Sequence, residues 1–95
     1  MPEQLVWLIT GCSSGLGLSL ARAALAAGHK VVATSRNPAN TPEVVDEITS
    51  NENGAWTQLD VAAQTLEQDV EACFQNFGRV DVIVNNAGFV LQPHA

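Results

Sequence analysis

Short apolar runs alternate along this chain with longer stretches in which apolar residues recur every three or four positions. Leu5–Ile9 is an uninterrupted apolar run, whereas Leu18, Ala21 and Leu25 recur at the spacing of one helix face. Continuous apolar runs are typical of strands covered on both sides, and their alternation with helices favours a parallel sheet of βαβ units. The pattern therefore predicts an α/β domain with helices on both faces of a sheet.

Turn residues divide the chain into four strands and three helices. Gly28 is expected to end the first helix, and Thr41-Pro42-Glu43 supplies an N-cap, a first-turn proline and a first-turn acid for a second helix that runs to about Ser50. The predicted strands are Leu5–Ile9, Lys30–Ser35, Ala55–Leu59 and Val80–Val84. The expected buried face of the third helix carries Leu66, Val70, Cys73, Phe74 and Phe77.

Right-handed crossovers between these strands give the order 3-2-1-4. In this order the direction of winding reverses between the first and fourth strands. Open parallel sheets bind ligands at the carboxyl ends of their strands, at such a reversal. Residues 10–17 and 85–88 would both lie there, together with the ends of the second and third strands, so we expect the ligand at that edge.

The turn between the first strand and the first helix has the sequence TGCSSGLG over residues 10–17. Its glycines leave backbone N–H groups and the positive end of the helix open to an anion, which suits a phosphate. Gly11, Gly15 and Gly17 depart from the plain G-x-G-x-x-G spacing, and no Lys-Ser/Thr pair follows as in a Walker loop. The alternative, for the turn taken alone, is a tight strand–helix connection that binds no ligand.

Two further motifs make the pattern specific. The pair DV occupies residues 60 and 61 after the third strand, and NNAG occupies residues 85–88 after the fourth. With the T-G-x-x-x-G-x-G turn, these motifs resemble the short-chain dehydrogenase/reductase family along the whole chain. The resemblance implies a partial Rossmann-like, doubly wound parallel sheet in three layers, and residues 1–95 would form the N-terminal NAD(P)-binding half of such an enzyme.

The resemblance also implies which residues contact the cofactor. Glycines and serines of the turn would lie beside the pyrophosphate or the adenosine ribose, and the N–H groups of Leu16 and its neighbours would meet phosphate oxygen. Gly17 would let the first helix pack closely. The implied residues are Gly11, Ser13, Ser14, Gly15, Leu16, Gly17, Ser35, Arg36, Asp60, Val61, Asn86, Ala87 and Gly88.

Two of these residues have alternative structural roles. Asp60 could accept a hydrogen bond from the adenine amino group, with the backbone of Val61 nearby, or act as an N-cap or first-turn acid of the third helix. Asn86 could line the cofactor crevice with Ala87, or satisfy backbone groups between strands. The sequence leaves both alternatives open.

Arg36 indicates which cofactor is preferred. NAD-selecting folds place a carboxylate after the second strand, whereas this chain has Thr34-Ser35-Arg36-Asn37 there. A guanidinium suits a 2′-phosphate, because its charge is fixed and its donors form a planar fork. We therefore predict that NADP(H) is preferred over NAD(H), with Ser35 as a second contact. A solvated arginine at the mouth of a loop is the alternative.

The family's catalytic residues are missing from this sequence. Hydride transfer in the family uses a tyrosine, a lysine and a serine beyond the N-N-A-G segment, but this chain has no tyrosine, no lysine besides Lys30 and no serine after Ser50. We therefore expect a truncated, inactive chain, whose small carbonyl or alcohol substrate would bind only in a longer form. Val80–Val84 would be an apolar open edge that favours self-association. A non-catalytic nucleotide-binding module, or a remnant that pairs this edge with a partner, is the alternative.

Composition limits the remaining possibilities. With 95 residues, a net charge of −6 and four Lys/Arg, the chain is expected to be one small domain without a nucleic-acid or membrane partner. A five-residue apolar run is too short for a signal peptide or membrane span, which favours the cytoplasm. Cys12 and Cys73 are interpreted as reduced small apolar residues, although a helix N-terminus could activate Cys12. His29 and His94 lack ligand-like spacing, so no metal site is expected.

Overall fold

The computed structural model describes residues 4–59 and 66–86 of the chain. Strands and helices alternate along these residues. In chain order the elements are β1 (Val6–Ile9), α1 (Gly15–Ala26), β2 (Lys30–Ser35), a turn of 3-10 helix (Pro38–Asn40), α2 (Pro42–Thr49), β3 (Gly54–Gln58), α3 (Leu66–Phe77) and β4 (Val82–Val84). Among these described helices, none has the length and apolar character needed to cross a membrane.

The four strands form one parallel sheet in the order β3-β2-β1-β4. Leu8 of β1 lies opposite Val32 of β2 on one side and Ile83 of β4 on the other. The predicted fold class and strand order are confirmed, and the winding reverses between β1 and β4 as expected. The predicted bounds of β2 are reproduced, while β3 is shifted one residue towards the N-terminus and β4 begins at Val82 instead of Val80.

Side chains of successive residues in the central strands pack in two different hydrophobic cores, because they alternate between the two faces of the sheet. Val31 and Ala33 face the core beneath α1 and α2, whereas Leu8 and Val32 face the core that contains Cys73 of α3. This two-sided burial explains why the central strands are continuously apolar.

The expected buried face of α3 is confirmed only in part. Cys73 is buried and Phe77 is partly buried against its core, but Phe74 is 39% exposed, so its predicted place on the buried face is wrong. A single residue step around a helix is about 100°, which turns Phe74 away from the sheet when Cys73 points at it. The side chains of Leu66 and Val70 lie outside the described residues.

Of the two predicted helix ends, the end of α1 is confirmed and the side-chain cap of α2 is not. Gly28 has φ +91° and its N–H donates to the Leu25 carbonyl at 3.0 Å, which confirms the predicted end of α1. Thr41 occupies the N-cap position of α2, but its side chain makes no capping hydrogen bond. Its φ of −134° and ψ of 61° depart from the extended geometry from which such a side chain reaches the first-turn amides. The predicted capping role of the Thr41 side chain is therefore wrong.

Candidate nucleotide-binding site

The glycine-rich loop after β1 is tied to both neighbouring strands. The Thr10 amide donates to the Val84 carbonyl at 3.0 Å, and the Cys12 amide donates to the Thr34 carbonyl at 2.9 Å. Gly11 and Gly15 have φ values of 66° and 62°, which residues with a Cβ atom rarely adopt. The loop is thus held where the winding of the sheet reverses, the place expected for a ligand.

Gly17 allows α1 to begin directly against this loop. A Cβ atom at Gly17 would lie 2.2 Å from the Gly11 carbonyl oxygen and 2.9 Å from Asn86 Nδ2. The close packing expected of Gly17 is therefore present, although its immediate partner is the loop's own backbone. Asn86 Nδ2 also donates to the Gly11 carbonyl at 3.3 Å, which is the structural role that the sequence offered for Asn86. A contact between Asn86 and a cofactor stays a prediction.

The first turn of α1 leaves its amides open. Ser14 is the N-cap residue, yet within the described part of the chain its side chain makes no capping hydrogen bond, and no acidic residue occupies the first turn. The first N–H groups of a helix have no partner within the helix, and the positive end of its dipole favours an anion. Nothing in this turn therefore competes with a phosphate for the amides.

A cavity of about 160 Å³ lies between the glycine-rich loop and the segment after β2. Its lining residues are Ser13, Ser35, Arg36, Asn37, Asn40 and Thr41. The structure thus brings together three residues that the sequence assigned to the cofactor, Ser13, Ser35 and Arg36. None of these described lining side chains is a carboxylate, so they offer hydroxyl, amide and guanidinium groups to a ligand.

Ser35 is held in this cavity wall by a tryptophan from the next strand. Ser35 is 6% exposed, and its Oγ accepts a hydrogen bond from Trp56 Nε1 at 3.1 Å. Since the indole N–H occupies a lone pair of Oγ, the hydroxyl hydrogen of Ser35 is left to donate elsewhere. Sequence reasoning missed Trp56, because the contact depends on how two strands lie side by side.

Cys12 lies in the same loop, but its thiol is not activated as a nucleophile. It is fully buried, its Sγ donates to the Ile9 carbonyl at 3.2 Å, and burial raises the pKa of its thiol to about 11. The suggestion that the helix N-terminus activates Cys12 is therefore wrong, because burial disfavours the charged thiolate and raises the pKa of the thiol. Cys12 and Cys73 are both buried and form no disulfide among the described residues, which also contain no cluster that could hold a metal ion.

Four of the residues assigned to the cofactor lie outside the described part of the chain. They are Asp60, Val61, Ala87 and Gly88. Their contacts to adenine and to the cofactor crevice stay predictions. Leu16 is described, and its side chain is 64% exposed beside the open amides of α1.

The parallel sheet, the loop and the cavity agree with what comparison with known proteins finds. The family model for short chain dehydrogenase matches residues 5–95. This chain belongs to the short-chain dehydrogenase family. Members of the family bind a nicotinamide dinucleotide, and the open amides, the glycine cradle and the cavity described above fit such a group.

Two curated relatives are similar to this chain over most of its length. It is 45% identical over 82 residues to oxidoreductase claN of Passalora fulva, a match that covers 86% of this chain and 37% of claN. It is 34% identical over 88 residues to the NADP-dependent 3-hydroxy acid dehydrogenase YdfG of Shigella flexneri, covering 92% of this chain and 35% of YdfG.

A solved structure confirms the fold. The 3-ketoacyl-(acyl-carrier-protein) reductase from Brucella melitensis, solved in complex with NADH, superposes with a TM-score of 0.79 at 35% identity. The match covers 97% of this chain and 37% of that reductase. The chain thus spans about a third of the length of these relatives. One of them is named for NADP and another holds NADH, so the preference of this chain must be argued from its own residues.

Proposed function

We propose that residues 1–95 form the cofactor-binding part of an NADP(H)-dependent short-chain oxidoreductase. Bound NADP(H) would exchange hydride with a small carbonyl or alcohol substrate in the longer protein. The observation that carries the proposal is the cavity after β2, where the described lining residues supply Arg36 and two serine hydroxyls and no carboxylate. A carboxylate in that position would bind the ribose hydroxyls of NAD and repel a 2′-phosphate.

The two anionic parts of the cofactor are assigned to different groups. The 2′-phosphate would meet the guanidinium of Arg36 and the hydroxyl of Ser35, whereas the pyrophosphate would meet the first-turn amides of α1. Arg36 is exposed, and no ion pair occupies it among the described residues. In a chain of net charge −6, the exposed guanidinium of Arg36 is well suited to attract a phosphate.

Catalysis is not assigned to these 95 residues alone. They include no tyrosine, and Lys30 stands at the start of β2, at the opposite end of that strand from the cavity. The proposal for this part of the protein is therefore binding and orientation of the cofactor. We place the protein in the cytoplasm, which is supported by two buried cysteine thiols that form no disulfide among the described residues.

Calorimetric titration with NADPH and NADH tests the proposal. We expect NADPH to bind at least about tenfold more tightly, because charged hydrogen bonds contribute roughly 1.5–3 kcal/mol each. Arg36→Ala should remove most of this preference, while Arg22→Ala, which changes an exposed arginine on α1, should leave it intact. Equal or tighter binding of NADH to the unaltered chain would contradict the proposal.

A second candidate function is association through β4. This strand is the last of the described sheet on its side, and Ile83 is 60% exposed there. Open apolar edges pair readily with other strands. Light scattering on the chain should show concentration-dependent dimers that Ile83→Lys disperses, whereas a monomer at all concentrations would refute pairing between copies.

A further inference from the structure

The segment after β2 is fastened to the sheet by a side chain of the neighbouring strand. Gln58, the last residue of β3, donates from Nε2 to the Arg36 carbonyl at 2.9 Å. The backbone pairing of the two strands reaches Ser35, whose carbonyl accepts from the Leu59 amide at 2.9 Å. Arg36 is the next residue, so the Gln58 side chain fixes the backbone one position beyond that pairing.

In the described part of the chain, this is the one hydrogen bond that joins residues 36–40 to the sheet. The other hydrogen bonds of these residues run within the segment or to the start of α2, as from the Asn40 amide to the Asn37 carbonyl at 3.0 Å. Exposed connecting segments with few bonds to the elements around them are the more mobile parts of a fold. Without Gln58, the Arg36 backbone would therefore be less restricted.

A restricted backbone matters at Arg36 because this residue lines the cavity after β2 and carries the charge assigned to the 2′-phosphate. Binding through a long side chain has to freeze its rotamers, and a mobile backbone beneath it adds further freedom to be lost. Fixing the backbone before the ligand arrives reduces that loss and makes binding tighter. The gain is confined to the part of the ligand that Arg36 contacts.

We infer that Gln58 is a positioning residue for Arg36, and that its hydrogen bond to the Arg36 carbonyl strengthens recognition of the 2′-phosphate of NADP(H). The inference rests on the proposed function and adds a residue to it. Gln58 is not among the described residues that line the cavity. Its effect therefore passes through the backbone of Arg36 and not through a contact with the ligand.

Two matched substitutions test this role. Gln58→Met removes the amide donor and keeps an unbranched side chain of similar length. Gln4→Met is the control, because Gln4 Nε2 makes the same kind of exposed hydrogen bond, to the Gly28 carbonyl at 3.0 Å, before the start of β2. The probes are adenosine 2′,5′-bisphosphate and adenosine 5′-monophosphate, which differ only in the 2′-phosphate.

We expect Gln58→Met to weaken calorimetric binding of the bisphosphate about fivefold, as the freeing of one backbone position does, and to leave the monophosphate unchanged. Gln4→Met should change neither affinity. A Gln58→Met variant that loses its fold, or that weakens both probes equally, would show that the hydrogen bond serves the fold alone and would overturn the inference.

The double variant provides a readout that a merely structural role would not move. Because Gln58 acts through Arg36, adding Gln58→Met to Arg36→Ala should weaken the bisphosphate no further than Arg36→Ala alone. A further loss of the full fivefold in the double variant would show that Gln58 acts independently of Arg36, and the inference would fail.

Arg36→Ala also distinguishes failure of the inference from failure of the proposed function. If the unaltered chain does not prefer the bisphosphate over the monophosphate, the proposed function fails. If Arg36→Ala weakens the bisphosphate and Gln58→Met does not, the cavity is a phosphate site and only the role of Gln58 is refuted.

Discussion

The two ends of the parallel strands use their polar groups differently. At the amino edge, backbone groups near the starts of the strands form hydrogen bonds with side chains of neighbouring segments. The Leu5 amide donates to His29 Nδ1 at 3.0 Å, and the Val6 amide donates to Asp81 Oδ2 at 2.8 Å. Gln4 Nε2 donates to the Gly28 carbonyl at 3.0 Å. This edge is closed by hydrogen bonds within the chain.

At the carboxyl edge, donors are left open in the described part of the chain. Ser14 does not cap α1, and Arg36 is exposed without an ion pair to any described residue. Both edges are built from the same parallel strands, so the difference comes from the connecting segments. The contrast indicates that the amino edge serves stability, whereas the carboxyl edge keeps its donors for a ligand.

The largest effect is expected where the carboxyl edge is packed most tightly. Gly17→Ala places a methyl group 2.2 Å from the Gly11 carbonyl oxygen, so either the loop or α1 must move. We expect a loss of about 3 kcal/mol in the free energy of unfolding, as overpacking of a rigid backbone contact does. Urea denaturation followed by circular dichroism measures this loss.

Gly54→Ala provides the matched control for this prediction. A Cβ atom at Gly54 would lie 2.1 Å from the Ile48 carbonyl oxygen, a similar overlap at a position remote from the loop. Both variants should lose stability, but only Gly17→Ala should lose nucleotide binding in its folded fraction. If Gly54→Ala impairs binding equally, the loop is not the special feature of the carboxyl edge.

Some of this architecture follows from sequence and some does not. The bounds of β2 were predictable because β-branched and small residues are enclosed by Gly28 and Arg36, and the strand order followed from right-handed crossovers. The capping role of Thr41 was mispredicted, because the rule specifies a residue type and the backbone angles decide whether the side chain can reach. The hydrogen bond between Trp56 and Ser35 joins residues on adjacent strands, so no local sequence pattern predicts it.

We expect a smaller difference in the free energy of unfolding between two tryptophan variants, Trp56→Phe and Trp7→Phe. Trp56→Phe removes the indole N–H that Ser35 Oγ accepts at 3.1 Å, so we expect a loss of about 1 kcal/mol in the free energy of unfolding. Trp7→Phe removes an indole N–H that is buried without a partner among the described residues. That variant should be as stable as the unaltered chain or slightly more so.

Chemical denaturation of the two tryptophan variants measures this difference. Both substitutions exchange the same pair of side chains, so the change in apolar volume is matched. A larger loss for Trp7→Phe than for Trp56→Phe would show that packing, not the hydrogen bond to Ser35, dominates at these positions.

The smallest effect is expected at the amino edge, where the charges are near the surface. Hydrogen bonds from Arg79 and from the Val6 amide hold the pKa of Asp81 below its ordinary value. A carboxyl group with a lowered pKa in the folded state stabilises the fold above its ordinary pKa near 4, and this contribution is lost as the pH falls through the folded value. Asp81→Asn should therefore lower the denaturation midpoint at pH 7, and the gap should close as the pH falls below about 4.

Glu47→Gln is the control that isolates the contact between Asp81 and β1. Arg22 also lowers the pKa of Glu47, but the two side chains are 53% and 45% exposed, and their ion pair joins only the outer faces of α1 and α2. Exposed ion pairs contribute little because water screens them, so the midpoint should fall less for Glu47→Gln than for Asp81→Asn. Equal shifts at pH 7 would mean that the hydrogen bond from the Val6 amide to Asp81 adds nothing to the stability of the closed amino edge.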